Sequence, residues 1–214
     1  MADILLDEQS SPTTPASGKG AIFIDSTASI LVFKDDGGRN NAFSFNAAIA
    51  AQTANAADTY LTNSDILIPS FGLQAKTSIL IKMSASKTGA GTAQPIYNVR
   101  VGPNRTTGDT VRLSLTGPLQ TAIADIGTLM VMLTVRSIGG AGIIQGTAWW
   151  EHRGTAANTT TSGTGFANDT TGHIEQSSAG IDMSAFAGQY IGLSVNPGAS
   201  GVWTITQVIT EVNW

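Results

Sequence analysis

Residues Thr128–Ile138 alternate without a break. Leu129, Val131, Leu133 and Val135 fall on one side of the repeat, and Met130, Met132, Thr134 and Arg136 on the other. A period of two marks a half-buried strand, because successive side chains of an extended chain point to opposite faces. The same rhythm recurs upstream. Thr77–Ser86 sets Ile79, Ile81 and Met83 against Ser78, Lys82 and Ser84. Gln94–Val101 sets Ile96, Asn98 and Arg100 opposite Tyr97, Val99 and Val101, and Thr110–Leu115 sets Val111, Leu113 and Leu115 against Arg112 and Ser114. Ile66–Pro69 reads as a short strand stopped by its proline. Gly142–His152 follows a glycine-rich turn and pairs with Thr128–Ile138 as a hairpin. His173–Ser178, Gln189–Asn196 and Val202–Trp214 supply three more strands. About eight strands at this spacing, several apolar on both faces, predict an all-β chain: an antiparallel two-sheet β-sandwich. A jelly roll is the expected form and an immunoglobulin-like topology its rival. Strand order is not legible.

Composition agrees. Charged residues make up 12% of the chain, about half the usual share, while glycine reaches 24 residues. Low charge suits a surface buried in an assembly, where each unpaired charge is costly to desolvate. A net charge of −4 and basic residues that are never adjacent (Lys76, Lys82, Lys87, Arg100, Arg105, Arg112, Arg136) argue against nucleic acid as a partner. No cysteine is present, which rules out disulfides, thiolate zinc sites and a cysteine nucleophile. The opening M-A-D-I-L-L-D-E-Q-S has neither the basic region nor the long apolar run of a signal peptide. The longest apolar stretch, Leu129–Val135, is too short to span a membrane. The expectation is a soluble protein made in the cytoplasm.

The N-terminal quarter follows a different grammar. Residues 1–20 read as an extended arm, with Ile4, Leu5 and Leu6 as a small apolar plug between acidic residues, followed by a polar, proline-containing leader. Residues 21–45 read as a small β-ribbon: Ala21–Ile24 and Ile30–Phe33 are apolar runs split by Asp25–Ser29 and closed by Asp35-Asp36-Gly37-Gly38. A two-stranded ribbon is marginal alone, so it needs a partner. Residues 46–60, within the Ala/Asn-rich run Phe43–Thr59, read as a linker or short helix, and residues 61–214 as the sandwich. Leu119–Ile126, opened by Gly117-Pro118, reads as a helical turn or a crossover.

The leader and ribbon, S-P-T-T-P-A-S-G-K-G-A-I-F-I-D-S-T-A-S-I-L-V-F-K-D-D-G-G, resemble segments of virion structural proteins of tailed bacteriophages. T-Y-L-T-N-S-D-I-L-I-P, A-S-K-T-G-A-G-T-A-Q-P-I-Y-N-V-R-V-G and T-G-D-T-V-R-L are similar to the body of phage and prophage structural proteins with a jelly-roll-type domain. Together the likeness covers most of the chain. It implies a virion protein, either a capsid cement (decoration) protein or a tail-fibre or tail-tip module. Lys87–Thr92 is then a strand-connecting loop without chemistry.

Catalytic candidates are thin. His152 beside Glu151, and His173-Ile174-Glu175, could form a two-histidine metal site or a general-base pair, but solvated strand ends account for them better. No G-x-S-x-G elbow exists, and Gly18-Lys19-Gly20 lacks the rest of a phosphate loop. Asp35–Gly38 suits a tight turn better than a calcium loop. Trp149 and Trp150 must face opposite ways, and Trp203 and Trp214 could join an exposed aromatic patch at a subunit interface or a glycan site.

The sequence therefore predicts a non-enzymatic capsid cement protein without metal or cofactor, located on the capsid surface. Its partners are the major capsid protein and neighbouring copies, expected as a homotrimer. The residues expected to bind partners are Ile4, Leu5, Leu6, Ile22, Phe23, Ile30 and Phe33. The competing expectation is a tail module in which the Arg153–Gly172 loop and exposed tryptophans bind a host receptor or glycan.

Overall fold

The computed structural model describes residues 6–88, 90–117, 119–122, 124–152, 173–182 and 185–214. Among them the chain is all-β, with sixteen strands. The first four are β1 (Glu8–Gln9), β2 (Ala21–Asp25), β3 (Leu31–Lys34) and β4 (Asn40–Asn41). Then come β5 (Phe43–Ala47), β6 (Gln52–Asn55), β7 (Thr59–Tyr60), β8 (Ile66–Leu67), β9 (Ser78–Lys87) and β10 (Ile96–Gly102). The rest are β11 (Thr110–Thr116), β12 (Asp125–Ser137), β13 (Gly142–His152), β14 (His173–Ile181), β15 (Tyr190–Asn196) and β16 (Val202–Asn213).

Strands β1–β4 form a separate small sheet in chain order, with β1 parallel to β2 and the other pairs antiparallel. The body is a sandwich of two sheets. The larger runs β14-β13-β12-β9-β16-β5 with β6 also on β16, and the smaller runs β11-β10-β15-β7 with β8 also on β15. The pairing is nested. Hairpin β10–β11 sits in the smaller sheet while its flanking strands β9 and β12 pair with each other in the larger one, and β15 and β16 then add beside β10 and β9. A ribbon rolled across two sheets in this way is the Greek-key device of jelly rolls. Here β13 and β14 extend the larger sheet as a meander.

Alternation places the core. Ile79, Ile81 and Met83 of β9, Leu129, Val131, Leu133 and Val135 of β12, and Tyr97, Val99 and Val101 of β10 all turn inward and are buried. Val111 is the exception in β11. A bulge between Val99 and Arg100 shifts the register, so Val111 pairs with Arg100 and is 40% exposed. Trp203 and Trp214 join no exposed patch. They are 0% and 2% exposed, because the inner face of β16, a strand paired on both edges, is dry. Each indole N–H is satisfied there, Trp203 donating to Gln120 Oε1 (3.1 Å) and Trp214 to Ser44 Oγ (2.7 Å).

Residues 43–60 are neither linker nor helix. They supply β5, β6 and β7, edge strands of the two sheets. Leu119–Ile126 is a crossover that carries the chain from β11 to β12 and buries Gln120 on the way.

Candidate functional site: the docked ribbon and the cleft beside it

The ribbon's two faces separate cleanly. Phe23 pairs with Val32 on the inner face, and both are buried. Ile22 pairs with Phe33 and Ile24 with Leu31 on the outer face. There Ile22 and Leu31 are each 59% exposed and Phe33 48%. A Cβ on Gly20 would stand 2.5 Å from the Phe33 ring, so glycine is what lets that ring lie against the backbone.

Buried polar groups fix the ribbon in place. Asp25 builds the β2–β3 turn by accepting the N–H groups of Thr27 (3.0 Å) and Ala28 (2.9 Å), and it also accepts the N–H and hydroxyl of Ser70 in the body. One carboxylate thus shapes the turn and ties it down. Arg39 donates to the carbonyls of Ala75 (2.7 Å) and Trp214 (3.0 Å), and Asn40 and Gln74 exchange two hydrogen bonds. Lys34 turns inward and donates to Ser11 Oγ (3.0 Å) and the Pro12 carbonyl (2.6 Å), which holds the leader against the ribbon.

Of the residues the sequence singles out, Ile22 and Phe33 stand on the open face and Leu6 is exposed beside the module. Ile30 is half-buried and packs against the sandwich core, and Phe23 is interior. Ile4 and Leu5 lie outside the described residues. Sequence reasoning missed Ile24 and Leu31, although the pairing of two apolar runs across a short turn already puts them on the face of Ile22 and Phe33.

Beside the module lies a cleft of about 310 Å³, between the Ala28–Ile30 turn, the edge of β5 and β8. Phe43 and Phe45 line one wall and Arg105 and Tyr190 another. Arg105 binds buried Asp65 through two nitrogens (Nη2 to Oδ1, 2.9 Å), and its guanidinium lies 4.8 Å over the Tyr190 ring. The hydrogen bond to Asp65 raises the Arg105 pKa above its ordinary value, against a smaller opposing effect of burial.

A polar cluster behind Arg105 holds it there. Arg100 donates to Ser194 Oγ (2.7 Å), to the Asp109 carbonyl (2.5 Å) and to the Asp58 carboxylate. The Asp109 carboxylate accepts the N–H groups of Asn104 (3.1 Å), Arg105 (2.7 Å) and Thr106 (3.3 Å). Tyr60 lies over Gly192, where any Cβ would strike its hydroxyl. That buried hydroxyl has no hydrogen-bond partner, and burial, helped by Asp65 and Asp109, pushes its pKa well above the usual phenol range. These carboxylates and guanidiniums are spent on one another and on loop amides, so the arrangement is a brace for the 103–109 loop. Among the described residues no group of three or more His, Cys, Asp or Glu side chains could hold a metal ion.

The other candidates can be placed only in part. His152 and His173 end β13 and begin β14 with backbones opposite Gly127 and Trp149. Their side chains, those of Glu151, Glu175 and Trp150, and the loop Arg153–Gly172 lie outside the described residues. Trp149 is half-buried on the outer face of the larger sheet. Asp35–Gly38 is a tight turn, with Gly38 at φ 85° and Asp35 accepting the Arg39 N–H (2.8 Å). No helix among the described residues is long and apolar enough to cross a membrane. No protein-family model matches the chain, and no curated protein matches it.

Proposed function

We propose that this chain is a capsid cement (decoration) protein of a tailed bacteriophage. The observation that carries the reading is the ribbon. It is locked to the sandwich on one side by Asp25, Arg39 and Asn40, and it turns Ile22, Ile24, Leu31 and Phe33 outward on the other. The resemblance of the leader and body to phage virion proteins supports a virion as what that face meets, and the head shell is the part of it we infer. The sandwich sits on the outer surface of the head, and the module grips the major capsid protein and neighbouring copies around a local threefold axis, as a homotrimer. The work is non-covalent. Each half-exposed apolar side chain contributes about 1 kcal/mol when covered, and repetition over a lattice of linked sites turns weak contacts into durable attachment.

The test is binding to shells stripped of the protein. Wild-type protein saturates them at hundreds of copies per particle, whereas Ile22→Asp/Phe33→Asp stays in the supernatant while keeping its β-sheet circular dichroism. Undiminished binding of that variant overturns the reading. A few to tens of copies per virion, located on the tail, would favour the fibre module instead.

A further inference from the structure

We propose that the cleft beside β5 receives the arm of a second copy of this chain, with the apolar Ile4–Leu6 segment adding as an extra strand to the open edge of β5. Strand β5 pairs with β16 on one side only. The Ala42 carbonyl accepts from Trp214 and the Ala48 N–H donates to Val208, so the even-numbered residues of this stretch turn their backbone groups toward β16. By alternation, the N–H and C=O groups of Phe43 and Phe45 turn to the free edge. Unpaired edge groups are a template for strand addition.

The cleft suits this segment chemically. Phe43 and Phe45 are 55% and 58% exposed, Ile30 and Leu67 give further apolar wall, and the Arg105 side chain is 40% exposed. The arm offers Ile4-Leu5-Leu6 flanked by Asp3, Asp7 and Glu8, an apolar centre with acid on both sides.

Chain direction makes the donor a second copy. Strand β1 runs parallel to β2, with Glu8 beside Ile24. The chain preceding Glu8 therefore leads toward the Ala21 end of β2, while the cleft's lip, Ala28–Ile30, lies beyond the Asp25 end. Traced back from Glu8, the chain is therefore heading away from that lip, which favours a neighbouring molecule as the donor. Arm into neighbouring cleft is a head-to-tail contact, which closes into a ring when the rotation allows. The inference builds on reading the arm as an attachment device, but its test uses purified protein without any capsid. A failure on shells and a failure here are separate results.

Wild-type protein is expected to sediment as an oligomer at micromolar concentration. Removal of residues 1–7, and separately Phe45→Asp, should each weaken association by at least about tenfold and leave a folded monomer by circular dichroism. Ile49→Asp, at a 94% exposed site, should stay assembled. Because the chain has no cysteine, Leu6→Cys/Phe45→Cys reports who donates the arm: oxidation should join separate chains on a non-reducing gel. A monomeric wild type, assembly that survives either disruptive change, or a disulfide confined within single chains overturns the proposal. If Phe45→Asp does not fold, the arm deletion decides the matter alone.

Discussion

The ribbon and the sandwich are built from the same alternating strands and end with opposite surfaces. In the sandwich, the long strands β9, β10 and β12 send their apolar half inward, and what stays outside is mixed. On the outer face of the larger sheet, Met130 and Met132 share space with the Lys82–Glu211 ion pair (3.8 Å). In the ribbon, the outer half is apolar and the inner half carries Asp25 and Lys34 beside Phe23 and Val32. Phe23 and Val32 face in, and Ile22, Ile24, Leu31 and Phe33 face out with no charge among them. An exposed apolar face of this kind is what the proposed partner would cover.

Substitutions can break that contrast. The largest effect belongs to the sandwich: Trp203→Ala should cost about 4 kcal/mol in urea unfolding, since it empties a fully buried indole site beside Tyr97. Asp25→Ala comes next, at about 2 kcal/mol, because the amides of Thr27, Ala28 and Ser70 lose their acceptor. Limited proteolysis should then cut between β3 and β5 faster than in wild type while the sandwich survives; equal cutting would mean that Asp25 does not hold the module. A subtler change is expected at Lys87, whose ammonium burial pushes below its ordinary 10.5, with Asp125 opposing. Between the folded value and 10.5 the unfolded chain binds a proton that the native chain lacks, so this group's contribution to stability rises with pH across that window. Thermal melts carried from pH 7 to above 10.5 should show wild type gaining on Lys87→Met, and parallel curves across that range would refute it. Smallest of all, Ile22→Ser/Phe33→Ser should shift stability by within about 0.5 kcal/mol per site. A loss above 2 kcal/mol would place that face inside the fold.

The long strands were legible because one-sided burial writes a period of two into β9, β10 and β12, and the ribbon because turn residues bracket two apolar runs. Residues 43–60 were not. Gln52-Thr53-Ala54-Asn55 carries no alternation, and it is a strand because β16 offers it a ladder, a case of neighbours overriding local preference. Burial of Trp203 and Trp214 follows from β16 being paired on both sides, which only strand order reveals. The cleft was invisible for the same reason. Arg105 and Asp65 lie forty positions apart, and nothing in their spacing announces that they meet.

The bond from Arg39 to the Trp214 carbonyl joins positions 175 residues apart. During synthesis the ribbon leaves the ribosome early, yet this tether must wait for the far strand. At ordinary elongation rates the delay is roughly 9–35 s. For that interval the module is a loosely held, sticky tag on a growing chain, and what it meets first in the crowded cell bears on how much protein is ever completed.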